Sequence, residues 1–266
     1  MEIAEFRELV LSGYRKAGRK FPWRGANPWG VMVSEFMLQQ TQTERVVPFY
    51  ENFIQLWPDP ESLAMAPLEE ALRKWCGLGY NSRCRNLRDS AVIIVEEFNG
   101  KVPETSKDLQ QLPGVGPYIA GAISCFAYNY PAVFIETNIR SAMIHCFFPD
   151  RNDVKDSEIF PLLEEALDKS DPRTWYYALM DYGSELKKTG NPGRRSAHYV
   201  QQSPFIGSFR QARGKVIKAL VTMGPGTIGE ILFETGLNAE KLYNVLEKLE
   251  KESLVAEDKG IYRIKN

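Results

Sequence analysis

Residues 112–128 read LPGVGPYIAGAISCFAY. Gly114 and Gly116 flank a single residue, Val115, which permits a tight turn whose backbone can approach a partner closely. Pro117 is an accepted first helical position, and the apolar run behind it predicts a helix over 117–128. The first N–H groups of such a helix point outward from a turn poor in side chains, a ready seat for a phosphate oxygen. Alone, a Pro-Gly-Val-Gly turn reads first as a structural hairpin. A helix on each side of it favours a hairpin that clamps a phosphate.

Helical periodicity extends both ways from this stretch. It predicts helices near 2–17, 29–41, 43–57, 67–76, 82–98, 138–147, 157–169 and 173–186, with almost no strand alternation among them. Gly and Pro punctuate the pattern in FPWRGANPWG, CGLGY and LPGVGP. Residues 187–207, KKTGNPGRRSAHYVQQSPFIG, are basic, turn-rich and aperiodic and read as an extended connector. Beyond it a helix over 209–222 is followed by two more in TIGEILFETG and NAEKLYNVLEKLEKESL. The tail LVAEDKGIYRI alternates around Asp-Lys-Gly as a small hairpin. Three helices and a hairpin make a winged-helix-like layout over 206–266.

The chain of 266 residues carries a formal net charge of −1, which argues against a general polyanion binder. That average hides segregation. Residues 73–88 hold five bases and no acid, residues 182–218 eight bases against one acid, and residues 150–171 eight acids against three bases. Such polarity suits one basic face for nucleic acid, although a charge run is more often a solvated surface. No apolar run reaches membrane-span length, and MEIAEFREL lacks the regions of a signal peptide, so a cytoplasmic monomer without membrane association is expected. Cys76, Cys84, Cys125 and Cys146 form no C-x-x-C pair, and His145 and His198 lack metal-pair spacing. No metal site is read from them.

Two acids attract attention. In NPWGVMVSEFMLQQTQ (27–42) a helix puts Glu35 on one face with Val31, Met32 and Leu38. An acid on an apolar stripe is desolvated, which favours its protonated form and suits a general acid; a pairing with a buried Arg is an equal alternative. Gln39 and Gln40 follow, two amides able to bond base edges or wedge into a stack. In VFIETNIR (133–140) an apolar run ends at Glu136 and a helix begins, with Thr137 or Asn138 expected to supply the N-cap oxygen. By itself Glu136 reads as an acid near a helix N-terminus.

FPWR, SEFMLQQTQ, GLGYNSRCRNL and LPGVGPYIAGAI together resemble the adenine DNA glycosylase (MutY) branch of the helix-hairpin-helix base-excision glycosylases, over about residues 20–186. The resemblance implies an all-α, two-lobed fold with its site in the cleft between lobes. The domain expectation is a glycosylase domain over 1–205, with lobes approximately 27–136 and 1–26 plus 137–205, then the winged-helix-like domain 206–266. The implied partner is double-stranded DNA with a mismatched or damaged base, which would keep the protein with the chromosomal DNA.

Carried over residue by residue, Glu35 matches the glutamate that protonates the departing adenine. Tyr118 stands where bifunctional relatives carry a Schiff-base lysine, which implies base release without strand cleavage. Gln40 and Tyr80 match residues inserted into the helix, and Arg24 one near the flipped base. Gly114, Val115 and Gly116 match the phosphate-binding hairpin, with Arg83, Arg85, Lys187, Arg194 and Arg195 expected at the DNA backbone.

The sequence departs from the family at four places. Glu136 replaces the catalytic aspartate, and Asn81 stands where many relatives have a second aromatic. Lys187 occupies the first iron–sulfur cysteine position and the connector has no cysteine, so a clusterless member is expected. The C-terminal part is short, which leaves recognition of the base opposite the target open. Removal of thymine, uracil or another deaminated base, and a catalytically silent damage binder, are the alternative readings.

Overall fold

Apolar residues at helical spacing, punctuated by Pro and Gly, produce a chain that is mostly helix. The computed structural model describes residues 1–265. From the N-terminus come α1 (Ile3–Ala17), α2 (Pro28–Leu38), α3 (Thr43–Leu56), α4 (Pro60–Met65), α5 (Leu68–Trp75) and α6 (Ser82–Phe98). Next are the single turn α7 (Ser106–Leu109), α8 (Pro117–Tyr128), α9 (Thr137–Phe147), α10 (Asp156–Ala166) and α11 (Pro172–Thr189). After a 3-10 turn at Pro192–Arg195 come α12 (Phe209–Met223), β1 (Gly226–Thr227), α13 (Ile228–Thr235), α14 (Ala239–Lys251), β2 (Val255–Asp258) and β3 (Ile261–Ile264). No helix among the described residues is long and apolar enough to cross a membrane.

The chain forms two compact units. The first comprises Met1–Val31, Glu104–Gln110 and Val115–Gln201. Its core is aromatic at the centre: Phe6 meets Trp175 edge-on at 5.8 Å, and Phe134 stacks on Tyr176 at 4.1 Å. The Tyr176 hydroxyl donates to Ala132 O at 3.0 Å, so its burial strands no polar atom. Helices α9 and α11 approach closely because Gly183 lies against the Asn138 carbonyl, where any Cβ would overlap it. Arg7 on α1 donates to Ala166 O (2.8 Å) and Leu167 O (2.8 Å), closing the end of α10. That helix stops earlier than its periodicity predicts, because Asp168 turns the chain by accepting from Ser170 N at 2.9 Å.

The second unit comprises Met32–Pro103, Gln111–Gly114 and Gln202–Asn266. Phe53, Leu63, Leu72, Trp75, Leu87 and Ile94 are fully buried there. Asp59 caps α4, a helix whose six residues are too few for periodicity to announce. In the C-terminal part, Thr227 and Glu230 form a capping box at the start of α13. Strands β2 and β3 pair antiparallel around Lys259 and Gly260, whose φ of 51° and 81° supply the hairpin turn. The two-residue β1 adds to the far side of β3, giving the order β1-β3-β2, an addition the sequence pattern does not announce. Residues 187–207, expected as an extended connector, instead begin inside α11 and contain the 3-10 turn.

Candidate active site

In the first unit, Glu136 is itself the N-cap of α9. Its Oε1 accepts from Asn138 N at 2.6 Å and Ile139 N at 2.8 Å, and its Oε2 from Asn138 Nδ2 at 3.2 Å. The structure thus corrects the expectation that Thr137 or Asn138 caps this helix: the longer glutamate arm folds back onto the first free N–H groups. The cap holds the half-buried carboxylate in one orientation at the positive end of the helix.

Lys187 reaches this place from α11. Burial pulls its ammonium below the ordinary lysine range, the Glu136 charge opposes that fall, and Arg140 and Arg19 add to it. Arg140 is held by Asp156 through two bonds of 2.7 Å. Arg24 forms a fork on Asp181, Nη2 to Oδ1 at 2.6 Å and Nη1 to Oδ2 at 3.0 Å, while its guanidinium lies 4.5 Å from the Tyr177 ring centroid. Arg19 Nε donates to the same Asp181 Oδ1 at 2.7 Å. Tyr118, in the first turn of α8, packs edge-on against Phe134 at 5.9 Å.

In the second unit, Glu35 lies on α2 and is 7% exposed, among the fully buried Met32, Phe36 and Met37. The helix ends at Leu38, three residues before its predicted end, because Gln40 turns left-handed at φ 55°. Tyr80 does the same at φ 49° just before α6. Bulky residues avoid this region, so both positions store local strain.

Arg83 explains how the two positions are held. Its guanidinium, expected at the DNA backbone, is buried and donates to Phe36 O (3.0 Å), Met37 O (2.8 Å), Gln39 O (2.5 Å) and Gly79 O (3.1 Å). Its charge therefore closes the C-terminus of α2 and pins the Gly79–Tyr80 loop; burial lowers its pKa to about 10. Gln39 Nε2 is buried with no hydrogen-bond partner among the described residues. It borders a small cavity of about 200 Å³ shared with Gln40, Tyr80, Asn86 and Gly114. Asn81 is buried at the start of α6, and Arg85 bonds the Glu252 carbonyl and Asn86 Oδ1.

At the glycine hairpin, Gly114 has φ +80° and a Cβ there would press on Asn86 Nδ2 at 2.6 Å, so only glycine fits. Val115 is buried, the two glycines are exposed, and α8 begins without a side-chain cap. In the 3-10 turn, Arg194 is exposed, whereas Arg195 turns inward and donates to Phe148 O (2.5 Å) and the Pro149 carbonyl at the end of α9.

The residues present do not fit an iron–sulfur cluster. Cys125 and Cys146 are buried in the apolar core of the first unit, and burial raises the Cys146 thiol. Among the described residues no group of three or more His, Cys, Asp or Glu could hold a metal ion.

The residues that sequence reading missed all act through distant contacts. Asp181 organises Arg24 and Arg19 from α11. Gln202 and Arg210 sit against Gln40 and Tyr80, from which they are 162 and 130 positions distant along the chain. No local pattern signals a pairing over that separation.

The family model described as HhH-GPD superfamily base excision DNA repair protein matches residues 33–168. An adenine DNA glycosylase of Mycolicibacterium smegmatis is 34% identical over 234 residues, which cover 79% of this chain and 78% of that one. One of Mycobacterium tuberculosis is 41% identical over 133 residues, 49% of this chain and 44% of that one, so the match spans less than half of that relative. The solved structure of a thermostable thymine-DNA glycosylase matches with a TM-score of 0.62 and 24% identity over 68% of this chain and 86% of that one, a likeness of fold alone.

Proposed function

The chain belongs to the adenine DNA glycosylases of the HhH-GPD superfamily of base excision DNA repair proteins, and on that premise we propose that it flips a mismatched adenine out of duplex DNA and hydrolyses its N-glycosidic bond without cutting the strand. A stacked base cannot be reached by catalytic groups, so extrusion must come first. The observation that carries the proposal is Glu35, a carboxyl group 7% exposed within an apolar helix. Desolvation favours the neutral form of a carboxyl group, the form in which it can give a proton.

In the proposed mechanism Glu35 protonates a ring nitrogen of the flipped purine. The bond from C1′ to the base breaks, and the base leaves with that proton. Glu136, held by three N–H donors at the start of α9, supplies the anion that stabilises the sugar's oxocarbenium ion. Water adds its hydroxyl to C1′, and its one proton restores the Glu35 carboxyl group, while Glu136 remains ionised. Tyr118 offers no amine for a Schiff base, so no lyase step follows.

Gln40 and Tyr80 are proposed to enter the stack from turns in which both residues stand at positive φ. The unpartnered Gln39 amide is proposed to meet a base edge, with Asn81 beside it, and Arg24 to border the flipped base. The Gly114–Gly116 hairpin, Arg85 and Arg194 would hold backbone phosphates. Arg83 and Arg195 are proposed to act indirectly by closing helix ends, and Lys187 by lying next to Glu136. Residues 206–266 are proposed to be a winged-helix-like module.

Single-turnover assays on duplexes carrying each mismatch, with wild type, Glu35→Gln and Glu136→Gln, test the reading. Adenine release that falls by orders of magnitude in both variants is expected. Release of pyrimidines alone, or no release at all by wild type, rejects it.

A further inference from the structure

The two side chains proposed to enter the base stack are already engaged by contacts within the second unit. Gln40 Oε1 accepts from Gln202 Nε2 at 2.9 Å, and the Tyr80 hydroxyl accepts from Arg210 Nη1 at 3.0 Å and from Gln202 Nε2 at 3.4 Å. Arg210 also donates to Gln202 Oε1 at 3.0 Å and to Ser203 O at 2.7 Å. One guanidinium on α12 therefore fastens the segment that starts at Gln202 and grips Tyr80 at the same time.

That segment is held by polar bonds. Residues 202–207 are all exposed, Phe205 at 58% and Ile206 at 86%. They bury little apolar surface, which puts them among the parts of a fold that open most easily. The far end is anchored: Gly207 N donates to Gln211 Oε1 at 2.8 Å, and Lys241 Nζ donates to Gly207 O at 2.7 Å. Gly207 has φ 75° and open space where a Cβ would stand, so the backbone can swing there.

Every acceptor of Arg210 is neutral: a phenol, a side-chain amide and a backbone carbonyl. No carboxylate lines the cavity of about 730 Å³ that Arg210 borders, among the described residues. A phosphate offers the guanidinium fork two ionised oxygens in one plane, a stronger partner than any of these. We propose that residues 202–206 form an autoinhibitory strap, fastened by Arg210 over Gln40 and Tyr80, which a backbone phosphate of the duplex releases by drawing Arg210 away. The inference rests on the stack entry proposed above for those two residues. Because Gln202 Nε2 bridges both of them, release of the strap frees the pair together. Stack entry is thereby coupled to contact with a polyanionic backbone.

The test follows 2-aminopurine placed next to the target base, in stopped flow, with wild type, Gln202→Ala and Arg210→Ala. Stack entry should be about fivefold faster in Gln202→Ala, the worth of one net hydrogen bond. Entry at the wild-type rate or slower overturns the strap. In Arg210→Ala the logarithm of the second-order rate, plotted against the logarithm of salt concentration, should fall with a slope shallower by about one, as for one lost phosphate contact. An unchanged slope overturns Arg210 as the trigger. Chymotrypsin cleavage after Phe205 gives a readout without DNA: it should quicken in both variants, and equal cleavage in all three proteins overturns the fastening. None of these measurements needs base release. Faster entry in Gln202→Ala by a protein that excises nothing would reject the glycosylase reading and leave the strap standing. Unchanged entry in that variant, beside wild-type adenine release, would do the reverse.

Discussion

The Arg83 guanidinium donates to Gln39 O at 2.5 Å and to Gly79 O at 3.1 Å, so one buried side chain ties the end of α2 to the loop before α6. Gln40 and Tyr80, the next residue in each case, both stand at positive φ. Arg83→Ala strands several buried carbonyls and should cost about 3 kcal/mol. Arg83→Lys should recover part of that, since an ammonium cannot span the same acceptors. Urea denaturation measures the cost, and an unchanged midpoint in Arg83→Ala rejects the staple.

Close packing between α9 and α11 makes a second prediction. Alanine at position 183 would gain about 1 kcal/mol of helix propensity over glycine in an open helix. Here its Cβ would overlap the Asn138 carbonyl, two residues from Glu136. We expect Gly183→Ala to destabilise by about 2 kcal/mol net and to slow excision by displacing the cap. A raised melting temperature would contradict it.

Glu136 combines a cap with a proposed catalytic role, and substitutions can part the two. Glu136→Ala should lose about 1 kcal/mol of stability, while Glu136→Ser, a good N-cap without a carboxylate, should lose little. Both should lose excision by a hundredfold or more. Glu136→Asp shortens the arm, and a displacement of about 1 Å can cost on the order of a hundredfold. Wild-type excision rates in Glu136→Ser would remove Glu136 from the chemistry.

Asp181 sets an acid limit on the first unit. Burial opposes its charge most strongly, but the hydrogen bonds and charges of Arg24 and Arg19 outweigh burial and leave its carboxyl below the ordinary aspartate value. A lowered native value means that the folded state binds fewer protons than the unfolded one. The contribution is therefore complete above about pH 4 and fades as pH falls through the native value. Denaturation curves across pH 2–7 should show a shallower acid loss in Asp181→Asn; an identical slope would exclude Asp181 as a source.

Much of this was legible in the chain. Local forces set the helices, so periodicity and the Gly114–Pro117 punctuation locate them, and residues 82–98 and 117–128 form helices at the predicted bounds. One-turn elements such as α7 escaped because four residues hold too little of a period. A basic run is equally visible, but its destination is not: Arg83 and Arg195 turn onto carbonyls inside the protein, while Arg194 stays exposed.

By itself, then, the sequence determined the helical architecture, the family, and which two glutamates are the candidates for chemistry, because these depend on residue type and short-range spacing. Only the tertiary structure decided that Glu136 caps its own helix, that Arg83 ties the Gln39 carbonyl to the Gly79 carbonyl, and that Gln202 and Arg210 lie on Gln40 and Tyr80. Those pairings depend on where distant backbone segments meet, and side-chain hydrogen bonds form only after the fold has brought donor and acceptor within about 3 Å.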